Sequence, residues 1–266
     1  MQRAPELVAT LEIAGVACRL PCADHAFSSL LAARYADFPA VTEPALAVDI
    51  TLVEPPPAAI AASWTGPYAR IAGSEGTLTI EGAGFRGAFD QAAGEGWIRQ
   101  PAEAEPLETF LTAIYAGRLL AHGGFLLHAA TIIGKAGAFV FFGPSGSGKT
   151  TVSTLVGEGV VTDEITAIRP GDGGYVVSSV PWRGIATSAP LAGVLRLTQA
   201  AETSVTRLSP LQAVRQLLPS VFFSLVDTVE VSRFFDIAAA LTRRVPAFDL
   251  RFTAESAFWP AVPGAV

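Results

Sequence analysis

The sequence predicts an α/β protein in two parts: an α+β segment over residues 1–104, followed over residues 105–266 by an α/β segment whose sheet is mixed rather than purely parallel. Three observations predict this. Short apolar stretches punctuated by glycine fill residues 68–99, which is the pattern of an antiparallel meander. A glycine-rich loop, GPSGSGKT at 143–150, lies between an apolar strand and a helix-forming run. That strand is itself preceded by a second apolar strand across a four-residue turn, so the two run antiparallel.

Along the chain, ATLEIAGVACRL reads as one or two strands. DHAFSSLLAARYADF (24–38) spaces Phe27, Leu30, Leu31 and Tyr35 along one helical face, with Asp24 in the position of an N-cap. ALAVDITLV reads as a strand. EPPPAAIAA (54–62) and RQPAEAEP (99–106) are rich in proline and alanine and read as connectors, the second being the better domain boundary. The segment before it holds no catalytic constellation and is a candidate region for binding a substrate or partner. Trp64, Tyr68 and Trp97 are read either as the lining of a groove or as ordinary rim packing.

Beyond the boundary, PLETFLTAIYAGRLLAHGG (106–124) places Leu107, Phe110, Leu111, Ile114, Leu119 and Leu120 on an apolar helical surface ended by Gly123-Gly124. FLLHAATII and AFVFF then form a hairpin about Gly134-Lys135-Ala136-Gly137. Arg243-Arg244, at the end of VSRFFDIAAALTRR, is explained by the favourable charge of a helix C-terminus.

Composition limits what such a fold can do. The 266 residues suffice for a real core, and half of them are hydrophobic. A net charge of −6 argues against a surface built for nucleic acid or an anionic membrane. Cys18 and Cys22 lie in one CRLPC stretch without the second Cys or His pair of a zinc site, and read as ordinary, partly buried thiols. The N-terminus lacks the apolar core of a signal peptide, and no stretch reaches the roughly 18 apolar residues of a spanning helix, so a cytoplasmic protein is expected.

The loop Gly143-Pro144-Ser145-Gly146-Ser147-Gly148-Lys149-Thr150 matches G-x-x-x-x-G-K-[ST] without a gap and in the strand–loop–helix setting the motif requires. Its glycines let the backbone wrap an anion, and backbone N–H groups at the helix start supply positive potential. Lys149 reaches the outer phosphates of a nucleoside triphosphate, the Thr150 hydroxyl ligates Mg²⁺, and Thr151 completes the phosphate-binding segment.

Only 14 positions after Lys149 comes an acidic pair, Asp163-Glu164. TTVSTLVG descends about two helical turns, ~12 Å, and Val160–Asp163 climbs ~13 Å as a strand. Asp163 is therefore expected level with the phosphate loop, on a strand adjacent and parallel to Ala138–Phe142. Two chemistries fit. Asp163 accepts the proton of an attacking hydroxyl while Glu164 helps to hold the metal; or Asp163 ligates magnesium and Glu164 orients water in a hydrolase. Successive strand residues face opposite ways, so both carboxylates share one site only if Asp163 ends its strand.

LLHAATIIGKAGAFVFFGPSGSGKTT together with GVVTDEITAI resembles the catalytic domain of the HPr serine kinase/phosphorylase family, whose fold is shared with phosphoenolpyruvate carboxykinase. The resemblance implies a mixed-sheet P-loop kinase domain. The family's histidine falls on His128, its loop on Gly143 to Thr150, and the first of its two aspartates on Asp163, the general base toward a serine. Its second aspartate is Glu164 here, and the glycine-rich signature downstream of the acidic pair is missing. The remainder matches only in outline, through PWRG (181–184) and VPAFDLRFTAESAFW (245–259). The chain thus looks closer to shorter HPr-kinase-related proteins of peptide-modification systems, including kinases of lasso-peptide precursors. Their implied cofactors are ATP and Mg²⁺, and their implied partner is a peptide or protein bearing a serine hydroxyl. The family includes hexamers, so homo-oligomerisation is left open.

With the resemblance His128 is a candidate to contact phosphate or orient Asp163, whereas His25 and His122 read as surface residues. Arg183 is read either as a stabiliser of the transferred phosphate or as a surface or carboxylate-paired arginine. A nucleotide-hydrolysing module working in a partner complex is the alternative to the kinase. A carboxykinase acting on a small keto acid is weaker, because no further set of basic and metal-binding residues precedes the loop.

Overall fold

The computed structural model describes residues 8–55, 69–225, 227–253 and 256–266. Trp64 and Tyr68, two of the three aromatics considered for a groove, and most of the 54–62 connector lie outside the described residues. The protein is an α/β chain with mixed sheets, and it divides into two compact units, Met1–Arg118 and Leu119–Val266.

The first unit runs β1 (Ala9–Ile13), β2 (Val16–Leu20), α1 (His25–Arg34), β3 (Leu46–Leu52), β4 (Arg70–Ser74), β5 (Thr77–Gly82), β6 (Phe85–Asp90), β7 (Glu95–Gln100) and α2 (Ala104–Ala121). The two units divide inside α2, and the expected boundary after residue 104 falls at its first turn. Its seven strands lie in the order β1-β2-β3-β7-β6-β5-β4. β4 to β7 form the antiparallel meander that the glycine spacing predicts, while β3 joins β2 and β7 in parallel.

Asp24 does cap α1, accepting from the Phe27 amide at 2.8 Å. Phe27, Leu31 and Tyr35 are buried as the spacing predicts, but Leu30 is 47% exposed. It sits one position off the stripe that faces β1. The Arg34 guanidinium meets the buried Glu108 carboxylate at 2.5 Å, tying α1 to α2. Tyr115 of α2 donates its hydroxyl to the Val16 carbonyl at 2.9 Å. Both cysteines are buried free thiols, and burial pushes Cys18 up to about 12, which makes it an inert core residue. Trp97 is 41% exposed, with the Arg99 guanidinium 5.7 Å from its ring centre.

The second unit contains β8 (Phe125–Gly134), β9 (Gly137–Phe142), α3 (Lys149–Val156), β10 (Val160–Thr162), β11 (Ile165–Gly171), β12 (Gly174–Ser179), β13 (Ser188–Gln199), β14 (Ser204–Arg207), α4 (Pro210–Leu217), β15 (Val221–Phe222), α5 (Thr228–Arg244) and β16 (Ala247–Phe252). β8 pairs with β11 and β9, β9 with β13, β13 with β12, and β12 with β11, closing a circuit of five strands. β16 and β14 extend it from β13. The hairpin of β8 and β9 turns at Gly134↔Gly137 as expected.

Strand alternation divides the apolar side chains between two cores. Leu127, Ala129, Val140, Phe142 and Val194 face Val214 and Leu217 of α4 and Phe234, Ala238 and Leu241 of α5. Ala130, Ile132, Phe139, Phe141, Leu195 and Leu197 face Val152 of α3, Phe258 and Val262. Burial on both faces is why β8 and β9 read as unbroken apolar runs. α4 starts with a capping box, Ser209 with Gln212, and α5 with Asp227, which accepts from the Val229 and Glu230 amides.

Phe234 is fully buried, edge-on to both Phe125 and Phe223 at centroid distances of 5.5 and 6.0 Å. Phe234→Ala is expected to cost about 3–5 kcal/mol in the unfolding of this unit, measured by urea denaturation. A loss below about 1 kcal/mol would mean that the site collapses around the cavity and that α5 is not held through this ring.

Candidate functional site

The site forms where the backbone of three strands is in register. Phe142, the last residue of β9, pairs with Ala129 of β8. On the other edge of β8 the Ala129 amide donates to the Glu164 carbonyl at 3.1 Å, and the next pair is His128↔Ile165. The phosphate loop, which leaves β9 at Gly143, and the acidic pair are therefore level, separated by one strand. With strands ~4.8 Å apart this spans about 10 Å.

Two expectations change here. β10 is not adjacent to β9: β8 lies between them, antiparallel to both, because the tight 134–137 turn already gives β9 that edge of β8. And β10 ends at Thr162, one residue before Asp163. Asp163 and Glu164 occupy an irregularity between β10 and β11, both of which pair with β8. That break meets the condition for both carboxylates to share a site.

Thr162 holds the irregularity in shape. Its buried hydroxyl accepts from the Glu164 and Ile165 amides, at 3.2 and 3.4 Å, and donates to the Arg183 carbonyl. Gly184 bridges to Thr162, and the Ile185 amide donates to the Val161 carbonyl at 2.9 Å. A Cβ on Gly184 would lie 2.6 Å from that carbonyl oxygen, so the PWRG loop can approach β10 only with glycine there.

A cavity of about 480 Å³ is lined by residues 145, 146 and 148–151 of the loop and first helical turn, with His128, Asp163, Glu164 and Gln199. Of the residues the sequence singles out, Gly143, Pro144, Ser147 and Arg183 do not line it. Gly143 and Pro144 instead offer their carbonyls to the Lys149 ammonium at 3.0 and 3.4 Å. Arg183 is linked to the cavity through Glu164, whose carboxylate it meets at 3.2 Å with both side chains about half exposed. Its carboxylate-paired reading is therefore the one observed.

The donor set fits a polyphosphate. Lys149 is buried, and among the described residues it has neutral carbonyls and no carboxylate for partners. Burial lowers its pKa from the ordinary lysine value, which reflects a cation lacking a counter-ion. The first-turn amides of α3 lack intrahelical partners, and the cap, Gly148, supplies no side chain to satisfy them. Among the described residues the buried Ser147 hydroxyl has no hydrogen-bond partner. Gly148 itself sits at φ +105°, and a Cβ there would be 2.5 Å from the Phe252 ring.

For a metal, no group of three His, Cys, Asp or Glu side chains is arranged to hold an ion among the described residues. Asp163, Glu164 and Thr150 do line one cavity and are hard oxygen donors of the kind magnesium takes alongside water and phosphate oxygens. Gln199, at the end of β13, is a cavity residue that no sequence motif marks. Only the parallel pairing of β13 with β9 brings it there.

A comparison of the chain with family models finds no match, and one with curated proteins finds no similar sequence. No helix among the described residues is long and apolar enough to cross a membrane.

His128 is half-buried against the Phe222 ring, 6.3 Å between centroids. Burial lowers its pKa, the Lys149 charge lowers it further, and Glu164 opposes both. The unfolded chain, with a histidine near 6.5, binds more protons than the folded one just below that pH, so stability is fully present above about pH 6.5 and falls as pH drops toward the folded value. His128→Asn should therefore flatten the loss of urea midpoint between about pH 7 and 5 relative to wild type. Parallel pH profiles would overturn the burial argument.

Proposed function

We propose that the chain is an ATP- and Mg²⁺-dependent kinase that transfers the γ-phosphate to a hydroxyl, a serine for preference, of a peptide or protein acceptor. In this reading the second unit is a P-loop kinase domain of the HPr kinase/phosphoenolpyruvate carboxykinase type. The observation that carries it is the meeting of a complete phosphate loop and the Asp163-Glu164 pair in one cavity, level across β8.

Lys149 exchanges its loop carbonyls for the β- and γ-phosphates of ATP, and the amides of the α3 first turn bind the same oxygens. Thr150 and Glu164 would hold Mg²⁺, which when bound neutralises phosphate charge. Asp163 accepts the proton of the acceptor hydroxyl while the hydroxyl oxygen bonds to the γ-phosphorus. The bond from that phosphorus to the bridging oxygen breaks, and ADP leaves with the electron pair. Burial and the Lys149 charge lower the His128 pKa, which disfavours a second cation beside Lys149.

The alternative, a nucleotide-hydrolysing module acting in a partner complex, assigns Glu164 to an attacking water.

Incubation with γ-labelled ATP, Mg²⁺ and candidate serine peptides should place label on a peptide. Asp163→Asn should lower transfer about 10²–10⁴-fold, the usual contribution of a general base, with ATP affinity retained. Transfer that persists in Asp163→Asn sinks the base assignment. Free phosphate without any labelled acceptor favours hydrolysis.

A further inference from the structure

We infer that Gln199 is a positioning residue that holds the apex of the phosphate loop in its anion-receiving shape. The inference rests on the phosphate-binding reading above. Gln199 is the last residue of β13, where it pairs with Phe252 of β16, and its side-chain amide donates to the Gly146 carbonyl at 2.9 Å. It also lines the cavity.

The loop is carried by the ends of these two strands at three points. Gly143 lies against the Leu197 carbonyl, where an added Cβ would approach to 3.2 Å, and Gly148 lies on the Phe252 ring. Gly146 is the third. Among the described residues nothing stands within 4 Å of the place its Cβ would occupy, and its φ is +77°, so packing there does not restrain it. The described bond from Gln199 does.

The direction of that bond matters. A peptide plane is rigid, so holding the Gly146 carbonyl also fixes the Ser147 amide, whose own bond to the Pro144 carbonyl closes the loop at its apex. Lys149 holds the carbonyls of Gly143 and Pro144, and the Ser147 amide also donates to Pro144 at 3.1 Å. Lys149 must leave those carbonyls to meet a phosphate. Gln199 need not move, so it preserves the loop while the lysine exchanges partners.

The test compares Gln199→Met, which keeps length and loses the donor, with Gln199→Lys, which keeps a donor, and Gln199→Glu, which loses it and adds a negative charge. Dissociation constants for ATP and for inorganic pyrophosphate are measured by calorimetry, with thermal unfolding as the control for folding. Gln199→Met should weaken both ligands by the same factor, about fivefold for one net hydrogen bond. KM for ATP should rise with it and kcat should change less. Gln199→Glu should be weaker still, and Gln199→Lys should remain near wild type.

Wild-type binding together with an unchanged dissociation constant in a folded Gln199→Met overturns the inference and leaves the phosphate-binding reading standing. Loss of ATP affinity with pyrophosphate unaffected also overturns it, since a loop-holding role cannot discriminate the base. Absence of ATP and pyrophosphate binding in the wild type overturns the reading and the inference together.

Discussion

Backbone pairing along both edges of β8 is the constraint on which the site depends. Ala129 stands opposite Phe142 in the β8–β9 pairing and donates its amide to Glu164 on the other edge, so the phosphate loop and the acidic pair are set level by main-chain pairing in the interior. Such groups are too costly to leave unpaired when buried, which fixes the register firmly. A slip of one residue would turn every side chain of β8 to the opposite face. The two cores would lose their alternating partners together, and the site would separate.

The irregularity between β10 and β11 is the second requirement. A regular strand through Asp163 and Glu164 would send one carboxylate to the α3 face of the sheet and the other to the α4–α5 face. Thr162 prevents this with one hydroxyl that serves two amides and a carbonyl. Because the carbonyl belongs to Arg183, the same atom that shapes the acidic turn also anchors the loop carrying the nearby guanidinium. Geometry and charge at this wall of the cavity are thus set by one buried side chain. At the opposite wall Lys149, among the described residues, has carbonyls and no carboxylate for partners.

Much of this was legible in the residues. The loop motif, the short helix and strand after it, the hairpin before it and the glycine-spaced meander depend on local chemistry, meaning turn geometry, apolar runs and caps, and those elements form where the residues place them. Asp24 caps α1 for the same reason. What local chemistry cannot express is which strands pair. The insertion of β8 between β9 and β10 depends on the edge of β8 that the 134–137 turn occupies. The arrival of Gln199 depends on a parallel partnership between residues far apart in the chain. Thr162 was silent too, since a lone threonine before two acids resembles any strand end. Leu30 shows the smaller error of a helix whose apolar stripe is narrower than its apolar residues.

Glu164 departs from the Asp-Asp pair of the family the sequence resembles, and its surroundings suggest why a longer side chain suits this chain. One added methylene extends its reach by about 1.5 Å, and the carboxylate meets Arg183 at 3.2 Å while still lining the cavity. The pair is about half exposed on both sides, so water and salt screen it and it is worth at most about 1 kcal/mol. An interaction that weak is exchanged readily when a more highly charged ligand arrives. In the structure Arg183 neutralises Glu164. On the kinase reading proposed above, its guanidinium would turn to the bound phosphate while Glu164 turned to the metal. An arginine in a deeply buried pair could not make that exchange, because breaking such a pair leaves a charge uncompensated in the interior. The exposure of this ion pair is therefore what makes its presence compatible with the proposed role of Arg183 in phosphate transfer.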